Sequence, residues 1–87
     1  MKYYFKFYGK RLRILRYMND MSMKDVADKV GLSKQAISKI EKGEFTPTKL
    51  TAVGLAAIFE VDIEYFTSEK LTLILEKNRI KLIISPK

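Results

Sequence analysis

Four polar side chains stand close together near the middle of the sequence: Lys34, Gln35, Ser38 and Lys39. At helical spacing they lie opposite Ile37 and Ile40, so burying the two isoleucines leaves all four outside. A carboxamide can pair with N6 and N7 of adenine. An ammonium can reach O6 and N7 of guanine, and a hydroxyl suits either base. The set is made for hydrogen bonding to base edges, not for breaking bonds. The chain has no cysteine and no histidine. That removes the thiolate nucleophile, the commonest general base and the commonest metal ligand. Asp62 and Glu64 read as a helix cap and a surface charge, not as a pair of catalytic carboxylates. The chain is therefore not expected to be an enzyme, and no catalytic residue, metal or cofactor is expected.

Those four residues need a helix placed at the surface, and the flanking residues supply one. Ser33 is a good N-cap for a helix over Lys34–Lys42, and Gly43 ends it. A second short helix precedes it. Ser22 caps that helix, with Asp25 three positions on as in a capping box, and Val26, Ala27 and Val30 turn inward. It stops at Gly31. In the turn Val30-Gly31-Leu32-Ser33 the glycine serves the backbone and Leu32 plugs the core. Ala27 is the small residue that lets two helices cross closely at a steep angle. Two helices joined in this way form a helix-turn-helix, whose second helix enters the major groove of DNA.

Further elements flank this pair. Residues 9–19 read as a helix with Leu12, Leu15, Arg16 and Asn19 on one face, while Lys10, Arg11 and Arg13 point elsewhere. Glu44–Pro47 is a loop. Thr48 caps a fourth helix, Lys49–Phe59, carrying Leu50, Val53, Leu55, Ala56, Ala57, Ile58 and Phe59. Being apolar on most sides, it is expected to be largely buried. Asp62 caps a short fifth helix through Phe66. The fold class is mainly α: a five-helix domain over 9–67 containing the helix-turn-helix and expected to bind DNA, with extensions over 1–8 and 68–87.

Both extensions alternate. Tyr3, Phe5 and Phe7 fall on one side of a strand, although an early helix start fits the same residues. Leu71, Leu73 and Leu75, then Ile80, Leu82 and Ile84, would line one face of a β-hairpin turning at Lys77-Asn78, with Glu76 opposite Arg79. A helical period through Leu71, Ile74, Leu75, Asn78 and Leu82 is the alternative. A hairpin with a bare apolar face is not stable alone. These six residues are therefore expected to form a dimer or partner-binding surface.

A chain of 87 residues is one small domain with a modest core, for which pairing with a second copy would add stability. All of the net charge of +7 lies in residues 1–49, which hold 12 Lys/Arg against 5 Asp/Glu; residues 50–87 are neutral. A basic half suits a polyanionic partner. No apolar run of about 18 residues exists to span a membrane, and the first residues do not read as a signal peptide. A cytoplasmic location is expected.

The stretch Met21–Gly43, MSMKDVADKVGLSKQAISKIEKG, together with GKRLRILR before it and TPTKLTAVGLAAIFEVDIEYF after it, resembles the Xre/Cro-like family of phage and bacterial repressors. The resemblance covers about residues 9–67. It implies five helices, no enzymatic activity, and binding to double-stranded operator DNA, usually as a two-fold dimer on a near-palindromic site. Lys34, Gln35, Ser38 and Lys39 match the family positions that read base edges. Arg16 and Glu41 match an ion pair between the first and third helices, with a structural role. Met23 departs from the family, which usually has an amide there to contact a phosphate. The backbone N–H groups at that helix start remain suited to phosphate, helped by Lys24. Lys42, Thr46, Thr48 and Lys49 are the other phosphate candidates, because the loop after the reading helix flanks the DNA backbone. The function implied is a dimeric transcriptional regulator, most often a repressor. The rival expectation is an antitoxin whose tail binds a protein partner while the helix-turn-helix autoregulates, or the controller of a restriction–modification system; the neighbouring genes would tell these apart.

Overall fold

Hydroxyl side chains mark where three of the helices begin. The structure, a computed structural model, describes residues 6–69. Its elements are α1 (Gly9–Met18), α2 (Met23–Val30), α3 (Lys34–Glu41), α4 (Lys49–Phe59) and α5 (Glu64–Thr67). At the head of α2 the Ser22 hydroxyl accepts from the Asp25 N–H at 3.0 Å, and the Asp25 carboxylate accepts from the Ser22 N–H at 2.9 Å. This is a complete capping box. Ser33 accepts from the Ala36 N–H and Thr48 from the Thr51 N–H, each at 3.1 Å. At the other end of α2, Gly31 takes the left-handed conformation at φ +72°, open to a residue without a Cβ.

The Ser22 backbone N–H, and then its hydroxyl, hold the Asp25 carboxyl below the usual carboxylate range. A carboxyl whose pKa is lowered on folding contributes stability above its unfolded pKa and loses it as pH falls through the folded value. Ser22→Ala is accordingly expected to cost ~1 kcal/mol and to flatten the acid side of the stability profile only in part, since alanine keeps the backbone N–H that Asp25 accepts from; both are readable from urea unfolding at neutral and acid pH.

The core is Leu12 and Leu15 from α1, Val26 and Ala27 from α2, Ile37 and Ile40 from α3, Leu55 and Ala56 from α4, and Tyr65 and Phe66 from α5. α1 packs on α3 and α5, α2 on α3 and α4, and α4 on α5. Asn19, placed by its spacing on the inner face of the first helix, is exposed; its amide donates to the Leu15 carbonyl at 2.8 Å and closes the helix end. α3 ends one residue before the expected boundary, with Lys42 as its C-cap.

Two expectations need correction. The fourth helix is not largely buried. Ala52, Leu55 and Ala56 are inside, but Leu50 is 83% and Val53 48% exposed. Among the described residues the helix packs mainly on α2 and α5. Its apolar composition says nothing about how many helices surround it. The fifth helix starts at Glu64 with Ile63, not Asp62, at the N-cap position. Ile63 packs against the core, and the Asp62 carbonyl accepts from the Tyr65 N–H at 2.9 Å.

Residues 6–8 form no strand. Phe7 stacks on Phe66 with ring centroids 4.9 Å apart, and the Tyr8 N–H donates to the Phe66 carbonyl at 2.8 Å. The end of the N-terminal extension thus joins the five-helix core. The rest of that expected strand, and the hairpin through Leu71, Leu73, Leu75, Ile80, Leu82 and Ile84, lie outside the described residues. Among the described residues no helix is long and apolar enough to cross a membrane.

Candidate nucleic-acid interface

The surface around α3 follows from what its other side must bury. Ile37, Ile40 and Glu41 are buried. Opposite them Gln35, Ser38, Lys39 and Lys42 follow at i, i+3, i+4 and i+7 and form one strip along the helix. Gln35, Lys39 and Lys42 are exposed and Ser38 is half-buried. Lys34, exposed in the first turn, flanks the strip. The four residues expected to meet bases are therefore side by side, and Lys42 stands at the end of their row. The same strip offers two ammonium groups, one carboxamide and one hydroxyl, with Lys34 adding a third ammonium. That mixture suits groove edges and phosphates alike.

The expected phosphate contacts divide. Lys42, Thr46 and Lys49 are exposed around the α3–α4 connection. Thr48 is exposed as well, but its hydroxyl serves the start of α4, accepting from the Thr51 N–H and donating to the Thr51 hydroxyl at 3.1 Å. Lys24 pairs with Asp28 one turn on, at 3.0 Å and with both side chains exposed. Such a pair is weak and can exchange for a phosphate. Met23 is half-buried and packs against the core, so α2 presents backbone N–H groups at this point, not a side chain.

What holds α3 at this angle is a buried ion pair. The Arg16 Nε donates to Glu41 Oε2 at 2.6 Å and its Nη2 to Oε1 at 3.0 Å. Its Nη1 donates to the Met21 carbonyl at 3.2 Å. The two residues are 5% and 1% exposed. The fork-to-fork geometry satisfies both carboxylate oxygens and all three guanidinium nitrogens, which is what makes a charge tolerable at that depth. The hydrogen bond to Glu41 pushes the already high Arg16 pKa further up, against the opposing effect of burial. The pair joins α1 and the last turn of α3 to the connection before α2.

Three residues that composition and spacing left unassigned matter to this frame. Gly9 lies where α1 meets the end of α3: a Cβ there would overlap the Ile40 carbonyl oxygen and come within 2.9 Å of that of Glu41. A glycine just before a basic helix is the only trace of this in the sequence. Arg13 brings a second, half-exposed cation to Glu41 at 3.5 Å. Arg11, expected to point elsewhere, is half-buried. It caps the end of α5 by donating to the Tyr65 and Ser68 carbonyls at 3.0 and 2.6 Å, and it lies over the Tyr8 ring at 4.1 Å. Among the described residues no cluster of three or more metal-ligating side chains exists.

Comparison with known proteins agrees with this layout. Residues 10–66 match the model of a helix-turn-helix family. An uncharacterized HTH-type transcriptional regulator of Methanocaldococcus jannaschii is 37% identical over 54 residues, covering 62% of this chain and 82% of that protein. Among solved structures, the P22 c2 repressor in complex with a synthetic operator is similar at a TM-score of 0.63 and 26% identity, over 66% of this chain and 86% of that one. The restriction–modification controller protein C.AhdI from Aeromonas hydrophila is similar at a TM-score of 0.61 and 25% identity, over 64% and 85%. The chain belongs to the Xre/Cro-like helix-turn-helix family, whose members are DNA-binding transcription regulators and not enzymes.

Proposed function

We propose that this protein is a sequence-specific regulator of transcription that represses by occupying operator DNA as a two-fold dimer. The observation that carries the reading is the polar outer row of α3, with Gln35, Lys39 and Lys42 exposed and Ser38 half-buried between them, on a helix whose inner face is pinned by a buried ion pair. Lys34, Gln35, Ser38 and Lys39 read base edges. Lys24, Lys42, Thr46, Lys49 and the backbone at Met23 hold phosphates and set the register. Thr48 acts indirectly, by starting α4 where the connection meets the DNA backbone. Two copies place their α3 helices in successive major grooves about 34 Å apart, which requires a near-palindromic site. Repression follows from steric exclusion of polymerase. The structural likeness to a repressor captured with its operator supports the reading.

A selection from random duplex DNA at physiological salt tests it, run beside a chain with Lys34, Gln35 and Lys39 all changed to alanine. The wild type is expected to enrich a two-fold motif and the triple variant to enrich none. Lys42→Ala and Lys49→Ala are expected to keep the motif while each lowers the salt slope of binding by about one. Weak binding with a steep salt dependence and no motif in either chain would reduce the basic half to a charge patch.

A further inference from the structure

α1 carries an apolar strip that points away from the rest of the fold. Ile14, Tyr17 and Met18 are 49%, 64% and 72% exposed and lie at i, i+3, i+4; Ile14 and Met18 face away from Gly9, Leu12 and Arg16, and the Tyr17 ring flanks them with one face against the Arg16 guanidinium at 4.7 Å. Three large apolar side chains in one exposed row exceed the isolated surface hydrophobes of an ordinary monomer. The same strip begins at Arg11, since Arg11, Ile14 and Met18 stand at i, i+3, i+7.

The chain leaves the described body at the head of that row. Arg11 holds the Tyr65 and Ser68 carbonyls at 3.0 and 2.6 Å, so Ser68 is tied beside the first turns of α1. The sequence continues Lys70-Leu71-Thr72-Leu73-Ile74-Leu75. From Arg11 to Met18 is about 10 Å along a helix, a length that roughly three extended residues cover. We propose that residues 71–75 of the same chain dock along α1, with Leu71 and Leu73 set against Ile14, Tyr17 and Met18. The tether decides for the same chain over a second copy: a short connection presents the segment at millimolar effective concentration. It also decides for α1 over the exposed apolar side of α4, to which no such anchor leads. Gly9 and Arg16 turn the opposite side of α1 toward α3, so the docked segment leaves the DNA-facing row clear. The proposal is independent of whether α3 reads bases.

The test uses the full chain with methyl labelling. Nuclear Overhauser contacts are expected between the Met18 methyl and those of Leu71 and Leu73 within one chain. Contacts found only between differently labelled copies would assign the segment to a partner's α1; contacts with Leu50 or Val53, or none, would remove it from α1. Each of those results overturns the proposal. Because the native chain has no cysteine, a Leu73→Cys variant gives a second readout. Its thiol is expected to react about tenfold faster when Met18→Glu is added and at an unchanged rate when Val53→Glu is added. Equal responses to the two additions would overturn docking on α1.

Discussion

Gly9→Ala is expected to lower stability by ~3 kcal/mol, an overpacking cost at the upper end of the usual range because the added Cβ meets backbone and not a side chain that can swing away. It would overlap the Ile40 carbonyl oxygen and press on that of Glu41, so α1 must lift off the end of α3 or α3 must lose its last turn. For a domain of this size a kcal/mol corresponds to roughly 4–8 °C in Tm, and a fall of more than about 10 °C should be seen by circular dichroism. Gly54→Ala is the control with the opposite expected sign. Its Cβ would meet Val30 Cγ1 at 3.5 Å, an ordinary contact, and alanine favours a helix interior by up to about 1 kcal/mol over glycine. A loss of less than about 3 °C for Gly9→Ala would mean that α1 and α3 are not held this close.

Glu41→Ala is expected to cost about 3–5 kcal/mol, because it strands the Arg16 guanidinium where water does not reach. The Met21 carbonyl and the Tyr17 ring would remain beside Arg16, neither of them a counter-charge, and Arg13 would lose its carboxylate too. Most of that loss belongs to the unpaired charge, not to the pair. The double variant Arg16→Met, Glu41→Leu should therefore regain most of the stability, since apolar pairs of similar volume often replace buried ion pairs at little cost. Urea unfolding of the wild type, Arg16→Met, Glu41→Leu and the double variant closes the cycle. A double variant as unstable as Glu41→Ala would show that the hydrogen-bond geometry, and not charge balance, sets the angle of α3. If the pair acts only by holding α3, the double variant should enrich the same DNA motif as the wild type; loss of the motif from a stable double variant would make Arg16 or Glu41 part of the DNA surface.

How much of this was legible in advance depended on the range of the interactions. The starts of α2, α3 and α4 could be read from Ser22, Ser33 and Thr48, because a cap bond spans three residues. The end of α2 could be read from Gly31, because a left-handed residue is a local demand. The helix-turn-helix and the row of polar residues on α3 follow from the same short-range periodicity. The Arg16–Glu41 pair spans 25 positions; no period or cap connects its members, and only likeness to a family suggested it.

Where contacts are distant in sequence, composition misled or was silent. A helix as apolar as α4 should be surrounded, yet Leu50 and Val53 face outward, because burial depends on how many neighbours a helix has and not on its own residues. Asn19 fits the inner face of α1 by period and still lies outside, since the helix end is also where the chain turns away. Arg11 bonds to carbonyls 54 and 57 positions away, and Gly9 is required by a backbone 31 residues on. The sequence by itself determined which segments are helices, where they begin and which side of α3 is polar, since these are set within a turn or two of chain. Only the tertiary structure decided which glycine cannot change, which arginines are structural and which apolar sides are left open, since those depend on surfaces that meet only after the chain has folded.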